Sequence, residues 1–223
     1  MRKPLTPVGA FIRVLPWLAA AVVAAAALGQ RLGPEAAAAA RAVRGVPEGL
    51  YSLHELGLKT SGSADVSRML PAELLETVDG DTLRVSLAPD QLLAVAAANG
   101  GAQILEPRES VRLVGVDAPE IRRQGQGPET GGLEASLALD ELARGNTLHL
   151  AFDRDLRDTY GRLLCYVFLE DGTHVNLALV ANGHAPALLK YPFILSGEFK
   201  KAEARARDRG LGYWALTGGS GQD

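Results

Sequence analysis

Cysteine is almost missing from this chain: Cys165 stands alone among 223 residues. An intrachain disulfide is therefore excluded. Cys165 lies in the apolar run "LLCYVFL" and reads as a small buried hydrophobe, since a reactive thiol needs a basic partner nearby. The apolar run Val14–Leu28 falls short of the roughly 20 residues that a bilayer-spanning helix needs, and Pro16 and Arg13 weaken a spanning role further. No internal repeat is visible, so the chain is not built as a solenoid. Positive charge is not in excess either, with 23 Lys+Arg against 26 Asp+Glu for a net charge of −3. What remains is a chain that is 47% hydrophobic, enough for one globular domain with extensions.

The extensions come first. Residues 1–30 follow the grammar of a secretory signal: Arg2, Lys3 and Arg13, then the apolar centre, then the small residues of "AAAALGQ". Two readings stand beside each other, a cleaved signal peptide and a retained membrane anchor over residues 8–29, with a buried core helix as a third. Either of the first two makes the rest of the chain secreted or extracytoplasmic. Residues 31–70 read as a linker. "PEAAAAARAVRG" lacks large apolar side chains to anchor it, and "LKTSGSADVSR" is polar and rich in Gly and Ser. A globular domain is expected over 71–216, and a flexible tail over 217–223.

Within the domain the patterning changes type. "TLRVSL" alternates, with Leu83, Val85 and Leu87 on one face and Thr82, Arg84 and Ser86 on the other, as a half-buried strand does. "SVRLVGV", "TLHLAF" and "LLCYVFL" are further strands. "LEASLALDELARG" sets Ala135, Ala138, Leu139 and Leu142 at helical spacing and stops at Gly145. "VNLALVANG" is a short helix ending at Gly183. "SGEFKKAEARARDRG" is a third helix, with Ser196 as its expected cap and Phe199, Ala202 and Ala206 facing inward. Strands, helix, strands, then two helices argue for a small β-barrel with helices packed on it, an α+β domain.

Four short pieces carry chemistry. "VDGDT" holds Asp79 and Asp81; alone it is an ordinary Asp-Gly turn. "VDAPE" holds Asp117 and Glu120 at a separation stiffened by Pro119. Arg112 sits in the strand before it, among Val and Leu, where a guanidinium is costly to bury without an anionic partner. "DTYGR" ends in Arg162 and also reads as a surface hairpin. Together they make a phosphoryl-transfer set. Asp81, Asp117 and the Ala118 carbonyl are oxygen ligands suited to a hard divalent cation. The two arginine forks match a charged phosphodiester. Glu120 is placed to take a proton from, or to orient, an attacking water.

The stretches "VDGDTLRV", "VRLVGVDAPE", "GLEAS", "DTYGRLLCYVF", "VNLALVANGHA" and "KKAEARARDRGLGYW" resemble the staphylococcal nuclease (thermonuclease) family in order and spacing, over about Ala72 to Trp214. The resemblance implies a five-stranded OB-fold barrel with three helices and a calcium-dependent nuclease acting on DNA or RNA, single-stranded or short. It implies that Asp81, Asp117 and Ala118 hold Ca²⁺, that Arg112, Glu120 and Arg162 are catalytic, and that Tyr191, with Lys190 beside it, contacts the nucleotide. Ala118 stands where the family often has threonine, a change that a backbone ligand tolerates. The stretch 88–107 lengthens the connection between the second and third strands, and its leucines are expected to pack on the barrel or on a partner. Residues 65–223 hold 16 Lys+Arg against 23 Asp+Glu, so a polyanion is poorly steered toward the domain. Local positive charge is expected from Arg112, Arg162, Arg122, Arg123 and Lys190; for Arg122 and Arg123, phosphate binding and plain solvation weigh equally. Two other classes compete: a non-catalytic OB module that binds a single strand or a protein, and a membrane-attached assembly protein.

Overall fold

The computed structural model describes residues 64, 66–121 and 127–218; the expectations for 1–63, for Arg122 and Arg123, and for the tail beyond residue 218 lie outside the described residues. All described residues belong to the unit Ala42–Asp223. Among them no helix is long and apolar enough to cross a membrane.

Five strands close into a barrel: β1 (Leu70–Thr77), β2 (Thr82–Ser86), β3 (Arg108–Leu113), β4 (Thr147–Arg157) and β5 (Leu163–Phe168). Their order is β1-β2-β3-β5-β4, with β4 returning to β1. All neighbours are antiparallel except β3 and β5, which are parallel. This is the expected OB barrel. Leu83, Val85, Val111, Leu148, Leu150, Phe152 and Leu163 are fully buried inside it. Truncating one of these leucines to alanine costs about 2–5 kcal/mol.

The alternation expected of β2 holds for Leu83 and Val85. Thr82, expected on the polar face, is 3% exposed because the site described below encloses it. In β4 the alternation is overridden, since His149 and Ala151 are buried along with Leu148 and Leu150. β1 was not legible as a strand. Pro71, the adjacent Leu74 and Leu75, and a register shift between Leu74 and Glu76 all blur its period.

The helices outnumber the three expected. α1 (Pro89–Ala98) forms inside the lengthened β2–β3 connection, and Val95, Ile104 and Leu105 of that connection join the core. The stretch therefore packs on the barrel of its own chain. α2 (Gly132–Ala143) buries Ala135, Leu139 and Ala143 at four-residue spacing. α3 is Val175–Ala181 and α4 is Ser196–Asp208, whose Phe199, Ala202 and Ala206 face inward as expected. Ser196 is not the cap: Leu195 holds that position and no side chain caps the helix. A last turn, α5 (Tyr213–Leu216), buries Tyr213 and Trp214, with the Arg207 guanidinium 4.2 Å from the centre of the Trp214 ring.

Candidate active site

The site begins at a place where a side chain is missing. Between β1 and β2 the turn closes through Val78 N–H donating to the Thr82 carbonyl at 2.9 Å. Gly80 lies in this turn against Ala118 and α2. A Cβ there would stand 2.5 Å from the Ala118 Cβ and 2.7 Å from the Ala135 Cβ. Glycine lets the turn sit flush, which carries the next residue, Asp81, into the interior with only 7% exposure. Asp79 steadies the turn by accepting a hydrogen bond from the Asp81 N–H at 3.1 Å.

Strand register supplies the second residue. Thr82 of β2 pairs with Arg112 of β3, so Arg112 emerges beside Asp81. Its Nη1 is 2.8 Å from Asp81 Oδ2, and its Nη2 is 3.8 Å from Asp117 Oδ1. One guanidinium thus draws together the two carboxylates that sequence reasoning paired. Asp81 Oδ2 also accepts from the Ala118 N–H at 3.0 Å, and Oδ1 accepts from the Thr82 hydroxyl at 3.1 Å. Burial nevertheless pushes the Asp81 carboxyl up to about 7, helped by nearby Asp79 and opposed by Arg112, Ala118 and Thr82. The surroundings hold less positive charge than this carboxylate needs.

The third residue comes from the hairpin Asp158–Gly161 joining β4 to β5. Asp158 Oδ1 accepts from the N–H groups of Tyr160 and Arg162, both at 2.9 Å, and Oδ2 accepts from Arg162 Nε at 2.7 Å. So held, Arg162 turns back to donate from Nη1 to the Thr82 hydroxyl at 3.3 Å. Arg162, Thr82, Asp81 and Arg112 form one connected polar chain. Both arginines face a cleft of about 470 Å³ that Tyr160 and Tyr191 also line. These tyrosines are 85% and 61% exposed, and the Arg162 guanidinium lies 5.5 Å from the Tyr160 ring centre.

The loop after β3 places the rest. Asp117 N–H donates to the Pro186 carbonyl at 3.0 Å, and its side chain is 58% exposed. Glu120 is exposed, and its backbone is clasped to Glu129. Glu120 N–H donates to Glu129 Oε2 at 3.0 Å, and Glu129 N–H donates to the Glu120 carbonyl at 2.9 Å. The start of α2 sits against this clasp at Gly132, where a Cβ would stand 2.9 Å from the carbonyls of both Pro119 and Glu120. Lys190 is exposed and does not line the cleft; its Nζ lies 5.8 Å from the Tyr191 ring centre.

Sequence reasoning missed Thr82 and Asp158. Thr82 looked like an outward strand residue. Asp158 carried a usable signal, because an Asp opening a four-residue turn commonly accepts from the N–H groups that follow it.

The donor set suits a hard cation. Two carboxylates and a main-chain carbonyl are oxygen ligands, and an underneutralised Asp81 is what a bound cation would relieve. Among the described residues no three Asp, Glu, His or Cys side chains cluster, so such an ion would keep several waters.

Comparison with known proteins identifies relatives of this chain. The family described as staphylococcal nuclease homologue matches residues 110–216. Endonuclease YncB of Bacillus subtilis is 30% identical over 173 residues, covering 75% of this chain and 72% of that protein. The SPbeta prophage-derived endonuclease YokF of the same organism is 32% identical over 155 residues, covering 67% of this chain but only 46% of its own length. The thermonuclease of Staphylococcus intermedius is 32% identical over 111 residues, covering 48% of this chain and 63% of that protein. With a closed five-stranded barrel and these likenesses, the chain belongs to the staphylococcal nuclease homologue family.

Proposed function

We propose that this chain is an exported, calcium-dependent nuclease that hydrolyses phosphodiester bonds of DNA or RNA, preferring single strands. The observation that carries the proposal is the convergence of Arg112 and Arg162 on one cleft, linked through Thr82 and Asp81. Two guanidiniums facing the same open space fit the non-bridging oxygens of a phosphodiester. Their benefit grows as charge builds on those oxygens in the transition state. Glu120, exposed on a backbone clasped at both its N–H and its carbonyl, orients the attacking water or takes its proton. Asp81, Asp117 and the Ala118 carbonyl would hold the cation, which supplies Lewis-acid polarisation of the phosphoryl group. Tyr160 and Tyr191 offer exposed ring faces on which unpaired bases stack, which favours single strands. Export rests on the signal-like grammar of residues 1–30.

The test is cleavage of end-labelled single-stranded DNA and RNA by the purified protein, with calcium, magnesium or chelator. Cleavage in calcium, weak in magnesium and lost in chelator, is expected. Full activity in chelator would refute the metal assignment. Strand binding without cleavage under every condition would make the barrel a binding module instead.

A further inference from the structure

At the edge of the same cleft the described structure holds a second arginine–carboxylate pair. β4 parts from β5 after Phe152 and rejoins it at Arg157, opposite Leu163. There Arg157 meets Glu109 of β3 in a two-pronged contact: Nη1 to Oε2 at 2.8 Å and Nη2 to Oε1 at 2.6 Å. The Glu109 side chain is 4% exposed and that of Arg157 is 24% exposed. The same guanidinium donates to the Gly161 carbonyl at 2.8 Å and to the Ile104 carbonyl at 2.9 Å. Glu109 Oε1 also accepts from the Glu106 N–H at 2.7 Å. One ion pair therefore joins three segments: the lengthened β2–β3 connection, the start of β3, and the β4–β5 turn.

A buried ion pair is a poor device for stability, because apolar residues of similar volume commonly serve as well or better. What an apolar pair cannot supply is a rigid fork that holds a carbonyl in place. The carbonyl held here belongs to Gly161, one residue before Arg162. Asp158 grips Arg162 from within the turn, and Arg157 grips the turn from outside.

We infer that the Arg157–Glu109 pair is a positioning device for Arg162. Through Ile104 and Glu106 it makes the 88–107 connection part of the active-site scaffold. This rests on the reading that Arg162 meets the phosphodiester. Arg157 also borders the cleft, but its donors are turned to Glu109, Gly161 and Ile104, so it acts by fixing where the Arg162 backbone starts.

The experiment compares wild type with the double variant Glu109→Met/Arg157→Met, each also carrying Arg162→Lys in a second series. It reads kcat, melting temperature and amide exchange at Tyr160, Gly161 and Arg162. The apolar pair leaves the Gly161 and Ile104 carbonyls and the Glu106 N–H without these partners and should melt somewhat lower; at a temperature where it is fully folded it should lose roughly 10- to 100-fold in kcat, the scale of a 1 Å misplacement. Exchange at the three turn amides should quicken at least about tenfold, with the β2 and β3 amides unchanged, a selective local opening. In the Arg162→Lys background the same pair should cause almost no further fall, since its effect runs through Arg162. Wild-type kcat and unchanged turn exchange in the apolar variant would overturn the inference. So would an equal fall in kcat in both backgrounds, which marks a general structural role. Should the apolar pair not fold, Arg157→Lys, which keeps the charge but not the fork, is read against the same criteria. If wild type cleaves nothing, the nuclease reading falls, and the exchange data still decide whether the pair holds the turn.

Discussion

Replacing Gly80 with alanine adds one methyl group at the tightest contact of the site. The new carbon would stand 2.5 Å from the Ala118 Cβ and 2.7 Å from the Ala135 Cβ. Ordinary carbon–carbon contact is about 3.5–4.0 Å, so the turn must withdraw by about 1 Å or more. Neither neighbour is the free end of a long side chain. Ala118 belongs to the site loop, and Ala135 is fully buried on α2. Two penalties follow. Overpacking of this kind costs about 1–3 kcal/mol, which lowers the melting temperature by roughly 2–10 °C in a domain of this size. The same displacement carries Asp81 away from Arg112 and Ala118, and about 1 Å of misplacement costs on the order of 10²-fold in turnover. Turnover should thus fall further than the melting temperature implies at an assay temperature where the variant is fully folded. Adding Ala118→Gly removes the nearer clash and should restore part of the loss. The assay is initial rate on a labelled single strand beside a thermal melt. A Gly80→Ala protein that melts and cleaves like wild type refutes the account of how Asp81 is seated.

Glu120→Gln should lower turnover by about 10²-fold or more with the melting temperature unchanged; near-wild-type rates would return Glu120 to an ordinary surface charge. Arg112→Lys and Arg162→Lys should each cut turnover by roughly 10²–10³-fold while substrate affinity changes less. If Arg162→Lys cleaves normally, its assignment is wrong; if Arg112→Lys loses only what it loses in folding, Arg112 is scaffold. Binding of single strands should weaken only gently with salt, corresponding to about two to four phosphates at roughly 0.7 per contact; a steep slope would reveal a basic groove. His174 is stacked on Phe168 and edge-on to Tyr166 and Phe199, and burial lowers its pKa to about 3. Between about 6.5 and 3 the unfolded chain binds the extra proton, so stability should fall as pH drops through that range. His174→Phe should flatten that part of the melting-temperature profile, and an unchanged profile would clear His174 of the effect.

Which residues come together around Asp81 was partly readable in the sequence, for a definite reason. Asp81, Asp117, Ala118, Glu120, Arg112 and Arg162 sit in short stretches whose chemistry is local: a turn, a strand end, a hairpin. Where register alone carries the information, the sequence is mute. Thr82 looks like any outward threonine until β3 brings Arg112 opposite it and the β4–β5 turn delivers Arg162 above it. Arg157 and Glu109 are 48 residues apart, and no periodicity marks either as buried. β1 was lost for a different reason: its proline and irregular register erase the alternation by which strands are recognised. α1 was hidden because "PDQLLAVAAA" is mostly alanine and small, with Val95 its one buried residue.

β3, like β5, has two kinds of neighbour: antiparallel β2 on one side and parallel β5 on the other. The link from Arg162 to Thr82 consequently spans 80 positions of the chain. Contacts of that separation form late, after the intervening chain has been gathered. A chain emerging from the ribosome presents Asp81 and Arg112 long before Arg162 exists. While the chain is unfolded, it has no site at all. Whatever chemistry the site performs is thereby postponed until the barrel closes.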